Sequence, residues 1–290
     1  MINFRYHVVS LTAVLLALAA GVVLGAGFLD QTDDDGSSSG SSTDSGVRSF
    51  DSGYASRTAP LVAKDALKSR TVLIVTTPGV QATDVKGVQG AIEQAGGTVS
   101  GQVELTSKLL DPGGRQFADG VADKAGAGIS EVSTASAGYP RIGAALARAY
   151  LATKVTDADE ASTQLAAAFT EGDLVVGDQP EQRADLAVVV TAPRTSATNQ
   201  QGASLAALAT ALDQASAGVV VAGPSSASLE GGLVEAVRGA EGASQVSTVD
   251  VADLPAGRVV VTLALAEEIN GRSGAWGTSR SADGALPAEK

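Results

Sequence analysis

From Val8 to Leu29 the chain runs 22 residues without a charge. As an α-helix rising about 1.5 Å per residue, this segment spans roughly 33 Å, enough for a hydrocarbon core about 30 Å thick. Only Ser10 and Thr12 are polar, so the polar face of a helix in a soluble core is missing. A secretory signal peptide has a shorter apolar region, about 7–15 residues. Length therefore favours a retained anchor. The small-residue triplets Ala17-Leu18-Ala19 and Gly25-Ala26-Gly27 keep a cleaved leader open as the alternative. Arg5 and His7 precede the segment and Asp30, Asp33, Asp34 and Asp35 follow it, which puts the first residues in the cytoplasm and the remainder outside. The first partner of the chain is thus the lipid bilayer.

Within the segment Ala13, Ala17, Gly21 and Gly25 recur every four residues, and Gly21–Gly25 is a GxxxG. Small residues on one helix face let two backbones approach closely, so this face predicts a weak homodimer in the membrane.

After the anchor, Gln31–Ser49 is "QTDDDGSSSGSSTDSGVRS", polar and of low complexity, and reads as a flexible tether. Phe50–Tyr54 reads as the edge of the folded domain, and Pro60 as the start of a short helix. The expected organisation is a tail and transmembrane helix over 1–29, a linker over 30–49, an exported α/β domain over 50–271 and a loose tail over 272–290.

Apolar residues make up 44% of the chain but aromatics only 3%, so the core must be built from Val, Leu, Ile and Ala. The net charge of −12 argues against nucleic acid and anionic surfaces, which need clustered Lys and Arg. There is no cysteine, which excludes disulfides and thiolate chemistry. The only Met is Met1 and the only His is His7.

Short β-branched runs alternate with helical segments. Strands are predicted at 70–79, 98–105, 173–178, 184–194, 218–224 and 244–251, and helices at 82–95, 137–153, 157–169, 202–215, 231–240 and 257–271. Thr83, and Thr156 or Asp157, are the expected caps. This pattern predicts a layered α/β fold with a mainly parallel sheet. "VLIVTTP" and "AVVVTAP" each end a strand in Thr-x-Pro, which suggests two similar halves; any two βαβ units also look alike.

Nucleotide and hydrolase signatures fail. No GxGxxG follows a strand, there is no P-loop or GxSxG, and one histidine before the anchor cannot complete a Ser-His-Asp triad. Acidic groups at Asp33–Asp35, Asp157/Asp159/Glu160 and Glu267-Glu268 read as solvated faces and caps. No catalytic, cofactor-binding or metal-ligating residue is nominated.

The segments "MINFRYHVVSLTAVLLALAAGVVLGAGFL", "APLVAKDALKSRTVLIVTTPGV", "QAGGTVSGQVELT", "VVGDQP" and "AGRVVVTLALAEEINGRSGAWG" together resemble the actinobacterial MctB family of copper transport proteins. The resemblance implies an envelope protein tied to copper export or tolerance, described as a pore of the outer mycolate layer. A related SteB-like branch implies instead a scaffold for cell separation that acts on peptidoglycan hydrolases. The family also implies a coiled coil between anchor and domain, whereas Gln31–Ser49 carries no heptads. Cu(I) takes Cys and Met and Cu(II) takes His, none of which lies beyond residue 7. A pore needs a closed barrel or several helices. The residues therefore predict a non-enzymatic envelope protein acting indirectly or with a protein partner.

Overall fold

The computed structural model describes residues 41–240 and 245–287. The apolar segment with its Ala13/Ala17/Gly21/Gly25 face lies outside the described residues. Among those described, no helix is long and apolar enough to cross a membrane. The chain divides into two units, Met1–Arg48 and Ser49–Lys290. The described part of the first is the beginning of helix α1 (Ser41–Val62); the second holds the rest of α1 and the α/β fold.

Strand β1 (Thr71–Thr76) is buried at all six positions. It pairs in parallel with β2 (Thr98–Leu105) on one side and β6 (Leu186–Val190) on the other. From β6 the sheet continues in parallel through β7 (Val219–Ala222), β8 (Ser247–Val249) and β9 (Ala275–Trp276). Beyond β2 the two-residue β4 (Val175–Val176) closes the far edge antiparallel. The order is β4-β2-β1-β6-β7-β8-β9. Strands covered on both faces need no polar alternation, which is why "TVLIVT", "LAVVV" and "VVVA" are continuous apolar runs.

The two faces carry separate cores. Val72, Ile74, Val188 and Val220 pack with Val85, Val88 and Ile92 of α2 (Ala82–Gln94) and with Val261 and Leu265 of α10 (Pro255–Ile269). Leu73, Val75, Val189 and Val221 pack with Leu205, Leu208 and Leu212 of α8 (Thr198–Gln214) and with α9 (Leu233–Arg238). The same side carries helices inserted between β2 and β4: α3 (Ser107–Leu110), α4 (Arg115–Ala125), α5 (Ser130–Ser133), α6 (Tyr139–Tyr150) and α7 (Glu160–Glu171). A two-residue pair, β3 (Thr156–Asp157) with β5 (Gln182–Arg183), stands apart from the sheet.

The predicted Thr-x-Pro recurrence is real as topology but inverted in space. β1-α2-β2 runs outward with its helix on one face; β6-α8-β7 runs the other way with its helix on the opposite face. Among the described residues Phe169 is the only aromatic among the largest fully buried side chains, in keeping with the composition. Small residues let helices approach: a Cβ on Gly143 of α6 would lie 2.3 Å from Ala211 of α8, and one on Gly202 of α8 2.4 Å from Ala236 of α9.

Four expectations are corrected. The tether does not extend to Ser49: Ser41–Val62 is helical, with Pro60 inside its last turn. Phe50 and Tyr54 are not the edge of the folded core. They are exposed on α1 with rings stacked at 6.2 Å, an i,i+4 pair that supports a helix of poor intrinsic propensity. The chain from 272 is not loose as far as residue 287: β9 adds the seventh strand, and Asp283 accepts from the Ala275 amide. The caps also differ. Helix α2 starts after Gln81 without a side-chain cap, and α7 is capped by Asp159 in a capping box with Ser162.

Candidate functional site

In a parallel sheet whose strand order reverses, ligands enter between the carboxyl ends of the two strands at the reversal, here β1 and β6. This chain laces that point shut. The Thr77 amide donates to the Val190 carbonyl at 3.1 Å, and the Ala192 amide donates to the Thr77 hydroxyl at 3.0 Å. Gly79, at φ +87°, turns the first loop in a conformation that favours glycine and lies beside Ala192, where an added Cβ would sit at contact distance, 3.6 Å.

A groove of about 710 Å³ opens elsewhere, toward the amino ends of β6 and β7. Its floor is Ala144, Ala147 and Leu151 at the end of α6 with Ala211 and Ala215 at the end of α8. Arg148, Arg183 and Glu131 also line it. Arg148 Nη2 donates to Asp159 at 2.6 Å, while its Nη1 is buried without a partner. Arg183 grips the Leu151 carbonyl through Nε at 3.0 Å and Nη2 at 2.6 Å. Burial, then the neighbouring charge of Arg148, push the Arg183 guanidinium below its ordinary value, and Asp159 and Glu131 partly offset this.

Asp159 is already committed. Its carboxyl is held far below the usual range, first by Arg148 and then by the Ser162 amide it caps. Glu131 is exposed on the rim. Its own backbone amide and the Ser130 hydroxyl lower its carboxyl, with lesser help from Arg148 and Arg183. The sequence reading placed the cap at Thr156 or Asp157, two or three residues before Asp159. The Arg148/Arg183 pairing was not legible in the sequence, because residues 35 apart meet only through the inserted helices.

The reading of Glu267-Glu268 as a solvated pair fails for Glu268, which is 7% exposed. It lies on the sheet side of α10 and accepts the Ser247 amide at 2.7 Å. With the half-buried Asp213 it lines a second cavity of about 320 Å³. Burial pushes Glu268 up to about 7; the Ser247 hydrogen bond opposes this and Asp213 adds to it. Burial pushes Asp213 up to about 6 against the hydrogen bond from the Val219 amide.

A third cluster fixes the chain after β9. Asp250, fully buried, accepts from Arg238 at 2.9 Å and from the amides of Thr278 and Ser279 at 2.8 and 3.2 Å. Arg238 also donates to Thr248, to the Trp276 carbonyl and to Ser279. Burial raises the Asp250 carboxyl, but the bonds from Ser279, Thr278 and Arg238 outweigh it and the net shift is downward.

Among the described residues no three His, Cys, Asp or Glu side chains converge as a metal-ligand group. A family model described as "Copper transport outer membrane protein, MctB" matches residues 1–287. Proteins named "Copper transporter MctB" from Mycobacterium bovis and Mycobacterium tuberculosis are each 34% identical over 314 aligned positions, covering 97% of this chain and 98% of each relative. A protein of the same name from Mycobacterium leprae is 28% identical over 340 positions, with the same coverage. These alignments exceed the 290 residues of the chain, so the relatives carry residues that it lacks.

Proposed function

This chain belongs to the MctB family, and from that premise we propose that it serves copper export or tolerance at the cell envelope, acting with partners and not as a copper-ligand protein or an enzyme. The observation that carries the reading is the extent of the match, which begins at residue 1 and so includes the apolar segment with the α/β domain. In this reading Val8–Leu29 anchors the chain in the cell membrane with residues 50–287 outside it. The donor set supports the indirect route, because soft and imidazole ligands stop at His7. The test uses the full-length protein in lipid nanodiscs carrying His7→Ala, titrated with Cu(I) and Cu(II) against competing chelators. Copper should bind no tighter than about micromolar. A stoichiometric site tighter than that restores direct handling of the ion.

An adaptor role of the SteB-like kind is the second reading, favoured by α1. Phe50, Tyr54 and Leu61 are 69%, 63% and 75% exposed at intervals of four and seven residues, one face of the helix left uncovered. Together with the Ala13/Ala17/Gly21/Gly25 face, this offers two successive association surfaces to a second copy or an envelope partner. Membrane helix contacts contribute modestly, about 1 kcal/mol each, so the anchor dimer should be weak. Energy transfer between labelled copies in membranes should fall severalfold with Gly21→Leu plus Gly25→Leu. An unchanged signal makes that face ordinary lipid-facing surface.

A further inference from the structure

The geometry points to the groove over α6 as a binding site for a small amphipathic carboxylate, its headgroup at Arg148 and Arg183 and its short apolar chain along the Ala144–Ala147–Ala215 floor. The volume, about 710 Å³, is in the range of small-molecule sites, which are mostly apolar with a few convergent polar groups. Here the lining is mixed: the alanines lie beside Thr134, Ser136, Thr153 and Gln214 as well as the charged groups. Its alanines leave width that larger side chains would fill.

The charged end is deficient in acceptors. A buried guanidinium nitrogen without a partner is uncommon, and Arg148 Nη1 is one. Arg148 and Arg183 line the same groove; burial, and after it the like charge of Arg148, make the charged form of Arg183 costly. Asp159 does not cancel both, because it caps α7 and takes only one nitrogen of Arg148. The Arg183 Nε–Nη2 fork is taken by the Leu151 carbonyl, so the missing acceptor is the one at Arg148 Nη1, where an anion supplies a charge-assisted hydrogen bond. Glu131 sets the sign of a diagnostic experiment. It faces the same groove with the ligand's own charge, so it opposes the anion.

The full-length protein in phosphatidylcholine nanodiscs, titrated calorimetrically with hexanoate after subtraction of empty discs, should show one saturable site. Hexanamide, which keeps the chain but loses the charge, and inorganic phosphate, which keeps charge but loses the chain, should each bind at least about tenfold more weakly. Arg183→Gln should weaken hexanoate about tenfold or more, and Ala144→Leu should do so by filling the floor. Glu131→Gln, at an exposed position, should instead tighten it severalfold. No saturable hexanoate binding, equal binding of hexanamide or phosphate, or a Glu131→Gln variant that binds no tighter overturns the proposal. None of these outcomes bears on the copper reading.

Discussion

Replacing Asp250 with alanine should lower the unfolding free energy by about 3–5 kcal/mol, because it leaves the Arg238 charge buried without its partner. The side chain of Arg238 is 7% exposed and that of Asp250 is fully buried, so water cannot substitute for the lost acceptor. The amides of Thr278 and Ser279 lose their acceptor at the same time. The damage should be local before it is global. Trp276 is the only tryptophan of the chain and sits in β9, which the Arg238–Asp250 cluster holds. Its emission should shift to the red at denaturant concentrations where helical circular dichroism is still native, and protease should cut after residue 272 first. Asp250→Asn keeps the shape and one acceptor and should fall between wild type and alanine. Because the folded carboxyl is held below its ordinary value, its contribution is present above that value and is lost as pH falls through the lowered one. Asp250→Ala should therefore cost less in acid than at neutrality. A Trp276 signal that unfolds with the rest of the domain in wild type and variant alike would show that the cluster does not control this segment.

β1, β6 and β7 were legible because burial on both faces leaves an uninterrupted apolar run, a signal that needs no knowledge of neighbours. All six predicted strands have a counterpart in the sheet, and α2, α6, α7, α8 and α10 fall where their periodicity placed them. The failures share a cause, which is dependence on distant partners. "GAWG" carries almost no strand signal, and β9 is held in place by Arg238, which donates to the Trp276 carbonyl, and by Asp250, which accepts the Thr278 amide just beyond it. Glu268 looks like the second of two surface acids until α10 is set against β8, where Ser247 needs an acceptor. "SSTDSGVRS" reads as a tether by composition, yet it runs in one helix with the stacked Phe50–Tyr54 pair that follows it. The Arg148/Arg183 groove had no local signature, since neither arginine has a motif around it. The family resemblance was legible from separated motifs. It did not reveal the groove, because the motifs quoted for it lie outside α5 and α6.

Glu268→Gln should make the protein more stable at alkaline pH and leave it nearly unchanged in acid. The folded carboxyl titrates at about 7 against an ordinary value of 4.5. A raised carboxyl binds its proton more tightly in the folded state, so its favourable contribution is complete below the unfolded value. It is lost as pH rises through 4.5 toward 7, after which folding must bury a charge. A shift of this size corresponds to about 3 kcal/mol at 1.36 kcal/mol per unit. Glutamine stays neutral throughout and its amide oxygen still accepts from Ser247, so the variant keeps the hydrogen bond and loses the penalty. The advantage should open between about pH 5 and pH 8 and then level off. Asp213, raised to about 6 in the same cavity, steepens the acid side of that window. Asp213 ionises at about 6 while Glu268 still holds its proton, so the Asp213 carboxyl should titrate at nearly the same pH in the variant. Chemical denaturation at pH 5, 6.5 and 8 reads the first effect, and carboxyl-labelled NMR of Asp213 reads the second. A stability difference that does not change with pH would mean that Glu268 is charged in the folded protein throughout, with the cavity admitting enough water to solvate it.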